Sequence, residues 1–151
     1  MIQSITKDEV EVRKEYYGSG ALWQEIPYVN GERHGIEKTY YESGPLWWET
    51  PYVNGERHGI VKCYYRSGNL LAETPFVRGE RHGIDTWYHE SGSLENETPY
   101  VNGKMHGIEK SYEDDKSNIC RLALYEKGHE VASVKNLIYK EINHVTGQYH
   151  R

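Results

Sequence analysis

Short runs rich in apolar residues alternate with clusters of Gly, Asn and Ser along most of the chain. Runs such as 35–41 (GIEKTYY) and 46–53 (LWWETPYV) contain many β-branched and aromatic residues and lack the 3.6-residue period of a helix. Turn-forming residues bound each run on both sides. The pattern therefore predicts an all-β chain of short strands joined by tight turns.

The same unit returns every 24 residues. The string NGERHGI begins at Asn30 and again at Asn54, and it returns in altered form at Arg78 (RGERHGI) and Asn102 (NGKMHGI). A second string recurs at the same spacing, as YGSGAL, YESGPL, YRSGNL and HESGSL, and a partial copy covers 12–16. Self-similarity at a fixed period is the signature of a repeat architecture.

Each unit contains two turn signals of different kinds. Asn-Gly at 30–31, 54–55 and 102–103 favours a two-residue type I′ turn, in which both residues have positive φ. Ser-Gly at 19–20, 43–44, 67–68 and 91–92 favours a type I turn followed by a left-handed Gly and a bulge. One unit is therefore one hairpin. We expect an open, elongated, twisted single-layer antiparallel meander of about ten to twelve strands.

A bulge at the Ser-Gly turn sets Tyr40 opposite Leu46, and Ile36 shares the face of Tyr40 because the two are four residues apart. The same trio recurs in later units as Ile60, Tyr64 and Leu70 and as Ile84, Tyr88 and Leu94. We interpret this ladder as the packed side of the sheet.

A proline recurs in the second strand of each unit, at 27, 51, 75 and 99. Proline cannot donate to a strand ladder and usually marks an edge or a bulge. A bulge at Pro51 would reverse the face of Tyr52 relative to Leu46, and the sequence leaves both facings open.

Composition and charge narrow the function classes. The 14 Tyr and 4 Trp argue against disorder, because disordered chains are poor in aromatic residues. With 18 basic and 23 acidic residues, the net charge is -5, so we expect no direct binding of nucleic acid. The sequence shows no apolar run of about 20 residues and no signal peptide. Cys63 and Cys120 form no motif and are expected to be reduced thiols, so we predict a cytoplasmic protein.

The unit Y-Y-x-S-G-x-L-x-x-E-x-P-Y-V-N-G-x-x-H-G-I at 40–60 resembles the variant MORN (membrane occupation and recognition nexus) repeat. The resemblance covers roughly residues 11–112. It implies an elongated antiparallel sheet that binds proteins or sometimes lipids, and it implies no catalytic residue. Bacterial proteins of this kind are often grouped as YwqK-like antitoxins, which implies a toxin as partner.

We expect a single repeat domain over 1–151, with regular repeats at 11–112 and a divergent C-terminal part at 113–151. In that part, 119–125, a Lys-Gly turn at 127–128 and 130–134 predict one degenerate hairpin. The segment 136–144 (NLIYKEINH) is a strand or a short capping helix, and the helix is favoured. Atypical ends of this kind cover the open end of a repeat array.

The strongest candidates for chemistry are the repeated histidines, His34, His58, His82 and His106. Equivalent positions in neighbouring hairpins lie two strands apart, about 9–10 Å, which is too far for one metal ion. We interpret them as structural, with hydrogen bonds to the repeated Glu25, Glu49, Glu73 and Glu97. The arginines that recur at the same period, Arg33, Arg57 and Arg81, are expected to neutralise the negative charge of these glutamates. The sequence contains no nucleophile motif and no phosphate loop, so we predict no enzyme activity, cofactor or metal site.

Comparison of the units separates fixed positions from changing ones. Where one unit has Trp47, the others have Trp23, Leu71 and Glu95. Large exposed aromatic patches mark interfaces, although rings that stack across strands are an alternative explanation. The hypothesis is a partner-binding surface formed by Tyr17, Trp23, Tyr41, Trp47, Trp48, Tyr65 and Trp87.

These observations predict a non-enzymatic protein-binding module, either antitoxin- or immunity-like or an inhibitor of a partner protein. The expected partner is a toxin or a nuclease-like protein. One alternative is a phage- or mobile-element-encoded inhibitor of a host defence nuclease, similar in role to an anti-CRISPR protein. Another is a membrane-surface or lipid-binding scaffold, which the negative net charge disfavours.

Overall fold

All regular structure in the computed structural model is β-strand, and the model describes residues 10–114 and 118–135. Eleven strands form one antiparallel sheet in chain order: β1 (Val10–Tyr16), β2 (Leu22–Val29), β4 (Gly35–Tyr40), β5 (Leu46–Val53), β7 (Gly59–Tyr64), β8 (Leu70–Val77), β10 (Gly83–Tyr88), β11 (Leu94–Val101), β13 (Gly107–Tyr112), β14 (Ile119–Glu126) and β15 (His129–Lys135). Four two-residue strands each pair with the preceding strand: β3 (Glu32–Arg33), β6 (Glu56–Arg57), β9 (Glu80–Arg81) and β12 (Lys104–Met105). The predicted meander of hairpins is confirmed.

Both kinds of turn have the predicted backbone. At the Asn-Gly turns both residues have positive φ, for example 50° at Asn54 and 81° at Gly55. The N–H of Gly55 donates a 2.9 Å hydrogen bond to the carbonyl of Arg33 in the preceding unit, and Gly79 repeats this bond to Arg57. These bonds link the tip of each hairpin to the previous repeat.

The Ser-Gly turns also carry the predicted bulge. Tyr40 pairs with Leu46, whereas Thr39 pairs with Trp48, so Trp47 is the extra residue. The left-handed glycine of this turn, Gly44, has φ 106°. Because a bulge adds one residue, it brings Trp47 and Trp48 to the same side of the sheet.

The prolines do not bulge their own strand. Pro51 pairs with Ile36 in an unbroken register along β4 and β5. The irregularity lies on the opposite side, where His58 N–H donates to the Pro51 carbonyl and Gly59 approaches the proline ring. Tyr52 does lie on the face opposite Leu46, but the Ser-Gly bulge causes that reversal.

The predicted packed face is wrong. We name the side that carries Thr39 and Trp48 the aromatic face, and the side that carries Ile36 the isoleucine face. Ile36, Ile60 and Ile84 are 50–53% exposed, so they do not form a core. The buried residues of β2 to β11 all lie on the aromatic face: Ile26, Val61, Cys63, Ala72, Thr74, Phe76, Asp85 and Thr98.

Large side chains explain why the aromatic face is the packed one. On that face Trp, Tyr and Arg side chains are long enough to lean over the short Thr, Cys and Ala side chains between them. On the isoleucine face, each Ile pairs with a proline, whose compact ring cannot cover it. A single-layer sheet can therefore bury part of one face without a second layer.

The divergent end forms the predicted hairpin, with β14 and β15 joined by a turn at Lys127 and Gly128. Lys127 has φ 52° and Gly128 φ 92°, so this turn repeats the Asn-Gly geometry without Asn. The helix predicted at 136–144 lies outside the described residues.

Candidate partner-binding face

Three tryptophans expose much of their side chains on the aromatic face. Trp23 and Trp47 occupy the bulge position of their hairpins, and Trp87 lies within β10. Their exposed fractions are 39%, 36% and 37%. A bulge residue stands outside the regular ladder, so the repeat does not fix its identity. The three tryptophans therefore expose ring area on the aromatic face, and their role in binding a partner stays a prediction.

The most extensive ring cluster surrounds Trp47. Tyr41 stacks on Trp47 with ring centroids 5.2 Å apart and planes 24° apart, and Trp48 is tilted against Trp47 at 6.3 Å. The Arg66 guanidinium lies 5.2 Å from the centroid of Tyr41. Tyr17 and Trp23 form a looser pair one unit earlier, at 6.3 Å. Stacking holds the Trp47 ring in one orientation while leaving part of it open to solvent.

The three tyrosines of the predicted surface have a second role. Tyr17 donates its hydroxyl to the carbonyl of Tyr40 at 2.7 Å, one unit later in the chain. Tyr41 and Tyr65 repeat this bond to the carbonyls of Tyr64 and Tyr88, each at 2.8 Å. All three are half-buried. They anchor neighbouring hairpins, and the tryptophans supply most of the exposed ring area.

Cys63 and Ala72 lie between Trp48 and Trp87 in one row across four strands. Both small residues are only 3% exposed, because the neighbouring rings cover them. Burial raises the pKa of the Cys63 thiol to about 11. This small-residue row is the best-covered part of the aromatic face and supports the rings beside it.

Sequence reasoning missed a row of arginines stacked on aromatic rings. Three of them cover a ring of the following unit, and the first covers a ring of its own hairpin: Arg33 on Tyr52, Arg57 on Phe76, Arg81 on Tyr100, and Arg13 on Tyr28, at 4.3 to 5.3 Å. The signal was present in the sequence, since the Arg and the ring of the next unit are 19 residues apart in three consecutive repeats. Cation–π contacts of this kind stabilise the row.

The charge of this row is uneven. Arg33 lies 3.0 Å from Glu37, and Arg81 lies 3.7 Å from Asp85. In the middle unit the corresponding position is the buried Val61, so Arg57 has no carboxylate four residues ahead. Arg57 is thus a cation that its own repeat does not neutralise at that position.

Glu37 has a buried carboxylate oxygen that accepts no hydrogen bond from the described residues. Its Oε2 atom lies close to Arg33, in a geometry that does not form a hydrogen bond. Burial raises the pKa of Glu37, and the Arg33 charge opposes that rise. The Glu37 carboxylate forms an ion pair within the repeat, so part of the Arg33 charge is already neutralised.

The predicted His–Glu hydrogen bonds are wrong. The repeated glutamates accept hydrogen bonds from tyrosines instead, as Glu25 does from Tyr40 at 2.8 Å. The histidines lie beside the next Asn-Gly turn, and His82 Nδ1 is 3.3 Å from Asn102 Oδ1. Glu and His lie in different rows, because the break at His58 and Gly59 shifts the strand register.

Four segments, 12–30, 33–54, 57–78 and 81–102, match the family model described as MORN repeat variant, and together they make up more than half of the chain. The chain belongs to this family. From the second segment on, each matched segment contains one first strand, one Ser-Gly turn and one second strand. The MORN repeat is thus the hairpin that the 24-residue period predicted.

None of the curated proteins is significantly similar to this MORN repeat chain. Among solved structures, one described as the crystal structure of TarM resembles it with 12% sequence identity and a TM-score of 0.44. That similarity covers 68% of this chain and 19% of the other. The chain therefore spans about a fifth of the length of that protein.

Two kinds of site are absent from the described part of the MORN repeat array. Across 10–114 and 118–135, no three His, Cys, Asp or Glu residues are close enough together to hold a metal ion. In the same residues, no helix has the length and apolar character needed to cross a membrane.

Proposed function

We propose that this protein is a non-enzymatic, cytoplasmic protein-binding module whose aromatic face contacts the partner. The observation that carries the proposal is the exposure of Trp23, Trp47 and Trp87 on the packed face, at positions where other repeats have Leu, Glu, Thr, Cys or Ser. The repeat therefore does not require tryptophan at these positions. Tryptophan and arginine dominate the binding energy of protein interfaces, which supports a role in recognition.

The partner class that we propose is a toxin or nuclease-like protein that this chain neutralises, as an antitoxin, an immunity protein or an inhibitor does. Arg57 supports a partner that presents a carboxylate, since its own repeat supplies Val61 where two other units supply acid. The net charge of -5 supports a protein partner over a membrane surface, because anionic lipids attract basic segments.

The test starts with capture of partners from native cytoplasm by the wild-type protein and by Trp47→Ala. The captured partner is then titrated against both. Trp47→Ala should weaken binding by about 2 kcal/mol or more, the scale of an interface hot spot. Val53→Ala is the matched control, because this exposed residue lies on the isoleucine face at the hairpin tip and should leave affinity unchanged.

Thermal melts of both variants separate loss of binding from loss of fold. Should Trp47→Ala melt early and yet bind normally once folded, the ring cluster is packing alone and the proposed surface is wrong. Flotation with vesicles of anionic lipid tests the membrane alternative. If the wild-type protein binds these vesicles and Trp47→Ala does not, the partner of the aromatic face is a lipid surface and not a protein.

A further inference from the structure

The isoleucine face carries an apolar row that nothing in the described chain covers. Val12, Ile36, Ile60 and Ile84 are each 50–53% exposed. They pair across the sheet with Pro27, Pro51, Pro75 and Pro99, so isoleucine or valine alternates with proline on successive strands. An exposed apolar row of this length marks an interaction surface.

A row of alternating charge runs beside the apolar row. Lys38 pairs with Glu49 on β5, which pairs with Lys62 on β7, which pairs with Glu73 on β8. Lys14 and Glu25 extend the alternation toward β1, and Lys62 and Glu73 are 3.5 Å apart. From β1 to β8 the face therefore changes sign at every strand, with a full period of two strands, about 9–10 Å, and Thr86 ends the alternation on β10.

We propose that the isoleucine face is the interface of a symmetric homodimer. Consider a two-fold axis that runs parallel to the strands and passes between β5 and β7. It places the strands of the second copy in reverse order over those of the first. Each row of side chains across the sheet keeps its position along the strand direction. Glu49 then faces Lys62 of the second copy, and Lys38 faces Glu73 of the second copy. A partner with another period would match these rows over one or two strands only.

The same axis matches the apolar rows. Ile60 meets Pro51 of the second copy, and Ile36 meets Pro75 of the second copy. Each protruding isoleucine therefore packs against the lower proline ring. One operation pairs opposite charges and fits large side chains against small ones, which is the self-complementarity that an isologous interface requires.

The available area is sufficient for such a dimer. Eight strands across and three rows along them give a patch of roughly 700 Å², which approaches the contribution of about 800 Å² per partner in a standard interface. Two twisted sheets that pack face to face remain nearly aligned, at about 30°. The contact is therefore closest at the central strands β4, β5, β7 and β8.

Sedimentation equilibrium over a range of concentrations tests the proposal. Wild-type protein should show a concentration-dependent dimer. Lys62→Glu and Glu49→Lys each place like charges across the axis, so each alone should weaken dimerisation by at least about tenfold. An equimolar mixture should regain the dimer, because Glu at 62 then faces Lys at 49 of the other variant. A wild-type monomer at every concentration, or a mixture no stronger than its components, overturns the proposal.

Two further variants keep the result interpretable. Ile60→Ser removes a half-exposed side chain at small cost to the fold and should also weaken the dimer, which guards against misfolding of the charge variants. Arg57 lies on the aromatic face, so Arg57→Ala should leave the mass measured by sedimentation equilibrium the same as that of the wild-type dimer. If Ile60→Ser dimerises like wild type, the isoleucine face is not the interface. Binding of the captured partner through Trp47 is unaffected by either result, so the two proposals fail separately.

Discussion

The hydroxyl of Tyr40 donates a 2.8 Å hydrogen bond to Oε2 of Glu25, which lies one hairpin earlier in the chain. Tyr64 makes the same bond to Glu49 at 2.8 Å, and Tyr112 bonds Glu97. The pair explains why Tyr and Glu recur 15 residues apart in the sequence. It also places an acceptor-only carboxylate beside a phenol, which makes the contact sensitive to alkaline pH.

Stability should fall between about pH 10 and pH 12. Burial, together with the hydrogen bond to Glu25, raises the pKa of Tyr40 from 10.0 to about 12, and Tyr64 shifts in the same way beside Glu49. The folded protein therefore holds these protons where the unfolded chain has lost them. The contribution is complete below the unfolded pKa and is lost as pH rises through the folded one.

Urea unfolding at a series of alkaline pH values checks this expectation. Tyr40→Phe should reduce the loss of stability across that window, because one raised phenol is gone. Tyr16→Phe is the matched control: Tyr16 occupies the equivalent position in β1 but lies exposed at the edge of the described sheet. A stability that stays flat from pH 10 to pH 12 in the wild type would contradict the assignment.

Gly59 and Gly44 should respond differently to alanine. Both have positive φ, 114° and 106°, but a Cβ at Gly59 would lie 3.1 Å from Pro51 Cγ, whereas a Cβ at Gly44 meets open space. Gly44→Ala should cost about 1–2 kcal/mol from backbone strain alone. Gly59→Ala adds a clash with a rigid ring and should cost roughly 2–4 kcal/mol. Chemical denaturation measures both, and equal losses would refute the role of the proline contact.

The Cys63 thiol should be protected in the folded protein. Its side chain is buried between Trp48 and Trp87, and burial raises its pKa to about 11. At pH 8 almost no thiolate forms there, so iodoacetamide should modify the half-buried Cys120 first. Mass spectrometry of the alkylated peptides reads out the order, and Cys63 should react only when urea unfolds the sheet. Rapid alkylation of Cys63 in the folded protein would show that Trp48 and Trp87 do not shield the thiol.

Tyr41→Phe should destabilise the sheet by about 1–2 kcal/mol, because the carbonyl of Tyr64 loses its 2.8 Å donor. The ring remains, so its stacking on Trp47 is preserved. Thermal unfolding measures the loss, and partner titration of the same variant should show unchanged affinity. An unchanged melting temperature would mean that the hydroxyl contributes nothing to the link between hairpins.

Much of the fold could be read from the sequence because turns are local. Asn54 and Gly55, or Ser43 and Gly44, require particular φ values whatever surrounds them, and the alternation between them needs only the two-residue period of a strand. The pairing of Tyr40 with Leu46 followed from the bulge alone. Comparison of the repeats also shows which positions the scaffold leaves free, and the binding role of the aromatic residues at those positions stays a prediction.

Which face of the sheet is buried could not be predicted from the sequence. Ile36, Lys38 and Tyr40 alternate with Glu37 and Thr39, and either set could pack in a sheet that has no second layer. The His–Glu prediction failed for a related reason, because the break at Gly59 shifts the strand register and leaves the two residues in different rows.

The hairpin repeat, the two turn types and the meander follow from local sequence, because each depends on residues within a few positions of one another. Which face is buried, which charges pair and which rings remain exposed depend on the folded sheet. Those properties depend on side chains from strands 15 to 24 residues apart, such as Tyr40 with Glu25 or Tyr41 with Tyr64. Their distances are set by strand register and side-chain length together, and no local pattern fixes both.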